Sequence, residues 1–252
     1  MESSLTRFSN RAAYYIRYRP RYPRELIPHL AAHCGLTPDS TVADVGSGTG
    51  FLAELFLRNG NTVFGIEPNP EMRLAGEQYL RQYSKFRSIN GTAEATRLPD
   101  NSCGFVSAGQ SFHWFDIPRA RAEFLRILEP GGQALLVWND RTAGTPFLRG
   151  YEGLVREFGI DYKQVDHRNL GPESFAAFFG SSEYHRHSFE YEQPVDYQTL
   201  EGRLLSASYT PLPDHPRFAS MIEALKRLFD QHASGGTVTF RYRTQLYTSV
   251  MR

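Results

Sequence analysis

The sequence predicts an α/β fold, a mostly parallel sheet with helices on both faces. Two observations carry this. Short apolar runs alternate with amphipathic stretches in two or three tandem units, the pattern of strands joined by helical crossovers. Glycines cluster where a strand hands over to a helix, as at Gly46, Gly48 and Gly50.

Element by element, "PRELIPHLAAHC" reads as a helix closed by Gly35. "TVADVG" is a buried strand, and "GTGFLAELFLRNG" a glycine turn entering a helix that Gly60 ends. "NTVFGIE" is a second strand; "NPEMRLAGEQYLRQY" is a second crossover helix with Asn69 as N-cap and Pro70 at its first position. "KFRSIN" and "GFVSAGQ" continue the pattern, "DIPRARAEFLRIL" is another helix, and "QALLVWN" follows the turn "EPGG". That makes about five strands by residue 139. Beyond it, "TPFLRGYEGLVREFG", "PESFAAFFG" and "HPRFASMIEALKRLFDQHASGG" look helical, whereas "HRHSFEYE" and "TVTFRYRTQLYTSV" look like strands, giving seven in all.

Composition narrows the function classes. With 252 residues and 40% hydrophobic content the chain can build a large core. Lys and Arg total 28 against 27 Asp and Glu, so a net charge of +1 gathers no polyanion. No run approaches a membrane span and the start lacks an apolar signal segment, so a cytoplasmic protein is expected, with no membrane partner. Cys34 and Cys103 alone make no disulfide framework or cysteine metal site. His29 and His33 stand four apart on a helix without the Glu of a zinc motif, and His185 and His187 share one face of a strand; no metal is expected at either pair. One local exception to the neutral charge is "YYIRYRPRYP", residues 14 to 23, which would suit a nucleic-acid arm.

Gly46, Gly48 and Gly50 let the main chain turn sharply and approach a ligand, while the next helix offers free amide donors. Glu67 follows at the end of the second strand, where a carboxylate can accept from both hydroxyls of a ribose. "GTGFLA" also satisfies the dinucleotide fingerprint, which keeps a nicotinamide-dependent oxidoreductase in play. Asp44 discriminates. It lies two residues before Gly46, where a pyrophosphate would meet a negative charge but an ammonium would be held. S-adenosylmethionine carries both the ribose and the ammonium.

"VADVGSGTG", "VFGIEPNPEM", "GTAEATRLPDNSCGFVSAGQSFHWFD" and "LEPGGQALLVWN" together resemble the successive motifs of class I S-adenosylmethionine-dependent methyltransferases. The likeness is to the methyltransferase type 11 group that includes trans-aconitate methyltransferase-like small-molecule enzymes, and covers roughly residues 10 to 140. It implies a Rossmann-like, seven-stranded, mostly parallel sheet with helical lid insertions in the C-terminal third. It also implies a cofactor site: Asp44, Gly46, Ser47 and Gly48 at the methionine portion, Glu67 at the ribose, Pro68 and Met72 at the adenine slot, Ala93 and Glu94 at the adenine amino group, and Gln110 towards the methionine part and substrate. His113 could be a general base or could pack with Phe112, Trp114 and Phe115. Members of the group carry a similar R-x-R-P element, so Arg19, held in an extended backbone by Pro20, would meet the cofactor carboxylate, with Tyr14 or Tyr18 over the sulfonium.

These expectations describe one methyltransferase domain: a lid arm at 1–23, a cofactor-binding core at 24–139, helical elaborations and a substrate cap at 140–236, and a terminal strand at 237–252. The expected partner is a small-molecule methyl acceptor, whether carboxylate, hydroxyl, amine or thiol. Nucleic acid is disfavoured, and the chain is expected to be a monomer or homodimer. Ser206, Ser208 and Tyr209 could bind a polar acceptor or merely end a helix; Phe147, Tyr151, Phe175 and Phe178 could line an apolar pocket or pack lid helices.

Overall fold

Residues 12–160, 162 and 170–251 are described by the structure, a computed structural model. The first eleven residues of the expected arm, and 161, 163–169 and 252, lie outside them. Seven strands form one sheet in the order β3-β2-β1-β4-β5-β7-β6. They are β1 (Thr41–Val45), β2 (Thr62–Ile66), β3 (Phe86–Ile89), β4 (Cys103–Gly109), β5 (Leu128–Arg141), β6 (His185–Val195) and β7 (Val238–Val250). The first five run parallel, while β7 is antiparallel to both β5 and β6. The sheet is therefore mostly parallel, and the chain reverses only after residue 139.

Helices α1 (Ala12–Tyr18), α2 (Leu26–Cys34), α3 (Phe51–Asn59), α4 (Pro70–Leu80), α5 (Ile117–Ile127), α6 (Pro146–Phe158), α7 (Pro172–Phe179), α8 (Tyr197–Leu205) and α9 (Phe218–His232) complete the fold. Strand side chains alternate between faces. Val42, Val63, Leu135 and Val137 pack with Leu26 and Leu30 of α2 and Phe56 of α3. Ala43, Val106, Ala134 and Leu136 pack on the other face with Phe124 of α5 and Phe178 of α7. A third cluster joins Tyr151 of α6, Leu200 and Leu204 of α8, and Leu225 of α9 to Phe240 and Tyr242 on β7.

Local signals behave as the residues require. Asn69 caps α4 by accepting from the Met72 amide at 2.9 Å, and Gly35 closes α2 in the left-handed conformation. Four readings change. "EPGG" is an excursion within β5: Cys103 pairs with Leu128 and Phe105 with Gln133, so four residues bulge between adjacent pairings. Ala12–Tyr18, expected to lead up to the first helix, form a helix of their own ahead of it. α8, placed by the sequence only through the helix end at Ser206, starts at Tyr197, where Asp196 caps it by accepting from the Thr199 amide at 2.8 Å. α7 packs on α5 against the sheet, so it is a flanking helix and not part of a lid.

Candidate active site

Successive β-to-α turns at the C-terminal ends of β1, β2, β3 and β4 meet in one cavity of about 330 Å³. Open α/β sheets collect ligands at this edge, beside the point where strand order reverses; here β1 lies between β2 and β4. Asp44, Gly46, Ser47, Gly48, Glu67, Pro68, Met72, Ala93, Glu94, Gln110, His113 and Arg19 all line it.

Asp44 is 1% exposed. Its Oδ1 accepts from Ser107 Oγ at 2.9 Å, and its Oδ2 has no hydrogen-bond partner. Burial pushes the carboxyl up to about 7, against the opposing influence of the Ser107 hydroxyl and the Ala53 amide. Glu67 is differently placed. Its Oε2 accepts from the Gly48 amide at 2.8 Å and its Oε1 from the Asn69 amide at 2.9 Å, so the acid braces the glycine turn. Each carboxylate oxygen keeps a second lone pair, which leaves it able to accept from a ligand hydroxyl as well. Burial raises its pKa, and the two amides act against that rise.

Gly46 adopts φ +66°, and a Cβ there would stand 2.6 Å from Ser111 Cβ. Only glycine fits. Met72 is buried and its Cε lies against Gly48, so it walls the same turn from α4. Glu94 Oε1 accepts from the Asp116 amide at 3.0 Å, which ties the loop after β3 to the start of α5. Gln110 stands just beyond β4 with φ +58°, and its Nε2 donates to the Asn139 carbonyl at 3.2 Å. Phe112 is fully buried among Phe175, Phe178 and Trp138, while His113, Trp114 and Phe115 face the cavity.

The N-terminal segment crosses the site. Arg19 Nη2 donates to the Ser206 carbonyl at 3.2 Å, and its Nε is buried without a partner. Arg21 stacks 3.6 Å over the Phe51 ring and donates to Tyr79 Oη at 2.6 Å. Tyr14 is not at the cavity. It is 44% exposed and packs on Tyr18, which lies over Gly202 of α8. The helix turns successive residues by about 100°, so Tyr15 faces inward in its place, beside Phe51 and Arg19.

The cavity also takes residues the sequence did not single out: Tyr15, Asn139, Arg141, Glu152, Arg203 and Tyr242. Of the acceptor candidates, Ser208 and Tyr209 line it, but Ser206 is buried with its hydroxyl on the Arg203 carbonyl at 2.6 Å. Phe147, Tyr151, Phe175 and Phe178 belong to packed clusters and do not line it. His29 stacks 4.0 Å from His187 and lies tilted 4.5 Å from His33. Among the described residues no group of three or more His, Cys, Asp or Glu could hold a metal ion, and no helix is long and apolar enough to cross a membrane.

Residues 43–136 match the methyltransferase domain family. A methyltransferase of Mycobacterium tuberculosis strain H37Rv, itself uncharacterized, is 33% identical over 202 residues, 80% of this chain and 76% of the relative. This chain belongs to the class I S-adenosylmethionine-dependent methyltransferases. An uncharacterized methyltransferase of Schizosaccharomyces pombe is 29% identical over 157 residues, 60% of this chain and 59% of the relative. Among solved structures, the YcgJ protein of Bacillus subtilis matches with a TM-score of 0.57 at 20% identity, covering 91% of this chain and 99% of its own. A protein described as a type II methyltransferase of Anaeromyxobacter dehalogenans matches with a TM-score of 0.60 at 21% identity, covering 92% and 98%. Those likenesses establish the shared fold. The enzyme's family removes the oxidoreductase alternative, and its antiparallel β7 between β5 and β6 departs from the six-stranded parallel order of dinucleotide-binding sheets.

Proposed function

We propose that the enzyme binds S-adenosylmethionine in this cavity and transfers its methyl group to a small-molecule acceptor. One observation carries the reading. Asp44 Oδ2 and Arg19 Nε are buried polar atoms of opposite charge, and neither has a hydrogen-bond partner. An unpaired buried donor or acceptor is costly. The ammonium and carboxylate of an amino acid complement that pair.

The fit extends along the strand ends. Gly46, Ser47 and Gly48 lie beside the methionine portion; Glu67, already fixed by the Gly48 and Asn69 amides, presents its remaining lone pairs to the ribose. Pro68, Met72, Ala93 and Glu94 flank the adenine slot. When bound, the cofactor supplies a sulfonium-activated methyl. The protein's task is then to align the acceptor and exclude water. Gln110 and His113 stand at the boundary between the cofactor side and the acceptor side, where His113 takes a proton from a hydroxyl or amine acceptor. Tyr15 and Pro20, with Arg19, form the N-terminal segment's part of the cavity wall.

A small acceptor is favoured because α6, α8 and the turn after it close over the cavity, contributing Glu152, Arg203, Ser208 and Tyr209 to its lining. RNA is the weaker reading: Arg19 is drawn onto the Ser206 carbonyl, and Arg21, although 44% exposed, stacks on Phe51 and donates to Tyr79, so both are engaged within the protein, and a net charge of +1 adds no wider basic field. One methyltransferase domain with arm, core, cap and terminal strand fits the single continuous sheet. Calorimetric titration with S-adenosylhomocysteine, NAD and a short RNA tests the reading. Binding of the first alone is expected, and its failure to bind rejects the assignment.

A further inference from the structure

We propose that the acceptor is a small carboxylic acid whose carboxylate is an anchor, held by Arg141 beside the buried charge of Arg203, while a different atom of the molecule receives the methyl group. The inference rests on the methyltransferase reading above and deepens it.

Two guanidinium groups line the half of the cavity built by β5, α6, α8 and β7. Arg203 is 3% exposed, and its three hydrogen bonds go to neutral acceptors: the Tyr18 carbonyl at 3.1 Å, Tyr242 Oη at 2.7 Å and Gln193 Oε1 at 2.9 Å. No carboxylate of the described residues pairs with it. Buried charges of this kind are ordinarily paired. Arg141 makes two long contacts, to Tyr209 Oη at 3.3 Å and Glu152 Oε2 at 3.5 Å, and a fifth of its side chain is open. A guanidinium carries five N–H donors, so a two-pronged grip on a carboxylate remains available. Glu152 does not fully neutralise it, because that acid also takes Arg156 Nε at 3.2 Å and the Tyr162 hydroxyl at 2.9 Å. Asp140, the other acid on this side, accepts from Gln245 Nε2 of β7 at 2.9 Å. Tyr162 and Tyr209, edge to face at 4.7 Å, give the site flat walls that suit an aryl or unsaturated body.

Placement separates anchor from nucleophile. Gln110 meets β5 at Asn139, and Arg141 is two residues further out, about 6–7 Å along the strand. A carboxylate gripped by guanidinium also has its lone pairs engaged and is a poor nucleophile. A hydroxyl, amine or thiol elsewhere on the acid, nearer Gln110 and His113, would donate its electron pair to the methyl carbon. The carbon–sulfur bond then breaks with its pair on sulfur, and the acceptor's proton leaves to His113 or water.

The test titrates hydroxy-, amino- and thiol-bearing aryl acids, each beside its primary amide, with and without S-adenosylhomocysteine, and follows methyl transfer from labelled cofactor. Acids should bind at least tenfold more tightly than their amides. Arg141→Met should remove that preference while binding of S-adenosylhomocysteine stays within twofold. Glu152→Gln, which frees Arg141, should tighten acid binding severalfold, an effect of opposite sign that misfolding cannot mimic. The methyl product should survive alkali. No acid binding, equal binding of acids and amides, unchanged preference in Arg141→Met, weaker or unchanged acid binding in Glu152→Gln, or an alkali-labile methyl ester would each overturn the proposal. Failure of S-adenosylhomocysteine to bind the unaltered protein would instead strike the cofactor reading, with the acid titration in its absence still reporting on the anchor.

Discussion

Ser107 of β4 and Asp44 of β1 occupy paired positions on adjacent parallel strands, and the Ser107 hydroxyl donates to Asp44 Oδ1 at 2.9 Å. That bond fixes the carboxyl and leaves Oδ2 as a buried acceptor without a partner at the cavity. The strand register thus aims the acid before any ligand arrives.

Removing either strand-end acid should weaken cofactor binding. Asp44→Ala and Glu67→Ala are each expected to cost on the order of 1.5–3 kcal/mol in S-adenosylhomocysteine affinity, the range for hydrogen bonds to charged groups. Calorimetry on variants with unaltered circular dichroism reads this; unchanged affinity would remove that residue from the site. Glu67→Ala should also lower stability, because the Gly48 and Asn69 amides lose their acceptor.

Asp44 sets a pH dependence whose sign is defined. Its carboxyl is raised from 3.8 to about 7 in the folded protein. Between those values the folded state holds a proton that the unfolded state has lost, so the contribution of Asp44 to stability is greatest at acidic pH and falls as pH rises towards 7. The loss between about pH 5.5 and 7.5 should be on the order of 2 kcal/mol. Urea unfolding at the two pH values should show that fall in the unaltered protein and much less of it in Asp44→Asn. Binding runs the other way: an ammonium ligand needs the ionised carboxylate, so affinity should rise through this window with release of a proton.

Gly46→Ala should damage both fold and site. The left-handed φ costs an alanine about 1–2 kcal/mol, and its Cβ would overlap Ser111. A lowered Tm together with loss of S-adenosylhomocysteine binding is expected. A variant that bound normally would show that the turn can relax.

Arg21 should hold the N-terminal segment closed. Its guanidinium stacks on Phe51, and its side chain is 44% exposed, which limits the contribution to about 0.5–1 kcal/mol. Trypsin cleavage between Arg17 and Arg24 should be faster in Arg21→Ala than in the unaltered protein, and slower in both with S-adenosylhomocysteine. Equal rates throughout would deny the segment a closing role.

The parallel half of the sheet and the strand ends that line the cavity follow from the sequence alone, because those signals are local. Apolar runs such as "TVADVG" must be buried, Gly46 must sit where no Cβ fits, and an acid that ends a strand stands at the sheet's edge whatever follows. Asp44, Glu67 and Gln110 could be named on that basis. Tertiary structure alone decided the rest. A seven-residue helix such as α1 is not stable alone in water, so "AAYYIRY" becomes helical only where Tyr18 meets Gly202 and Tyr15 meets Phe51. Its turn then replaced Tyr14 with Tyr15 at the cavity. Arg141, Glu152, Arg203 and Tyr242 come from β5, α6, α8 and β7, up to 101 positions apart, and no spacing along the chain announces their meeting. β7 entering antiparallel between β5 and β6 brings them together, since hydrogen-bonded strand pairing is set by contacts between distant segments and not by the residues of either strand alone.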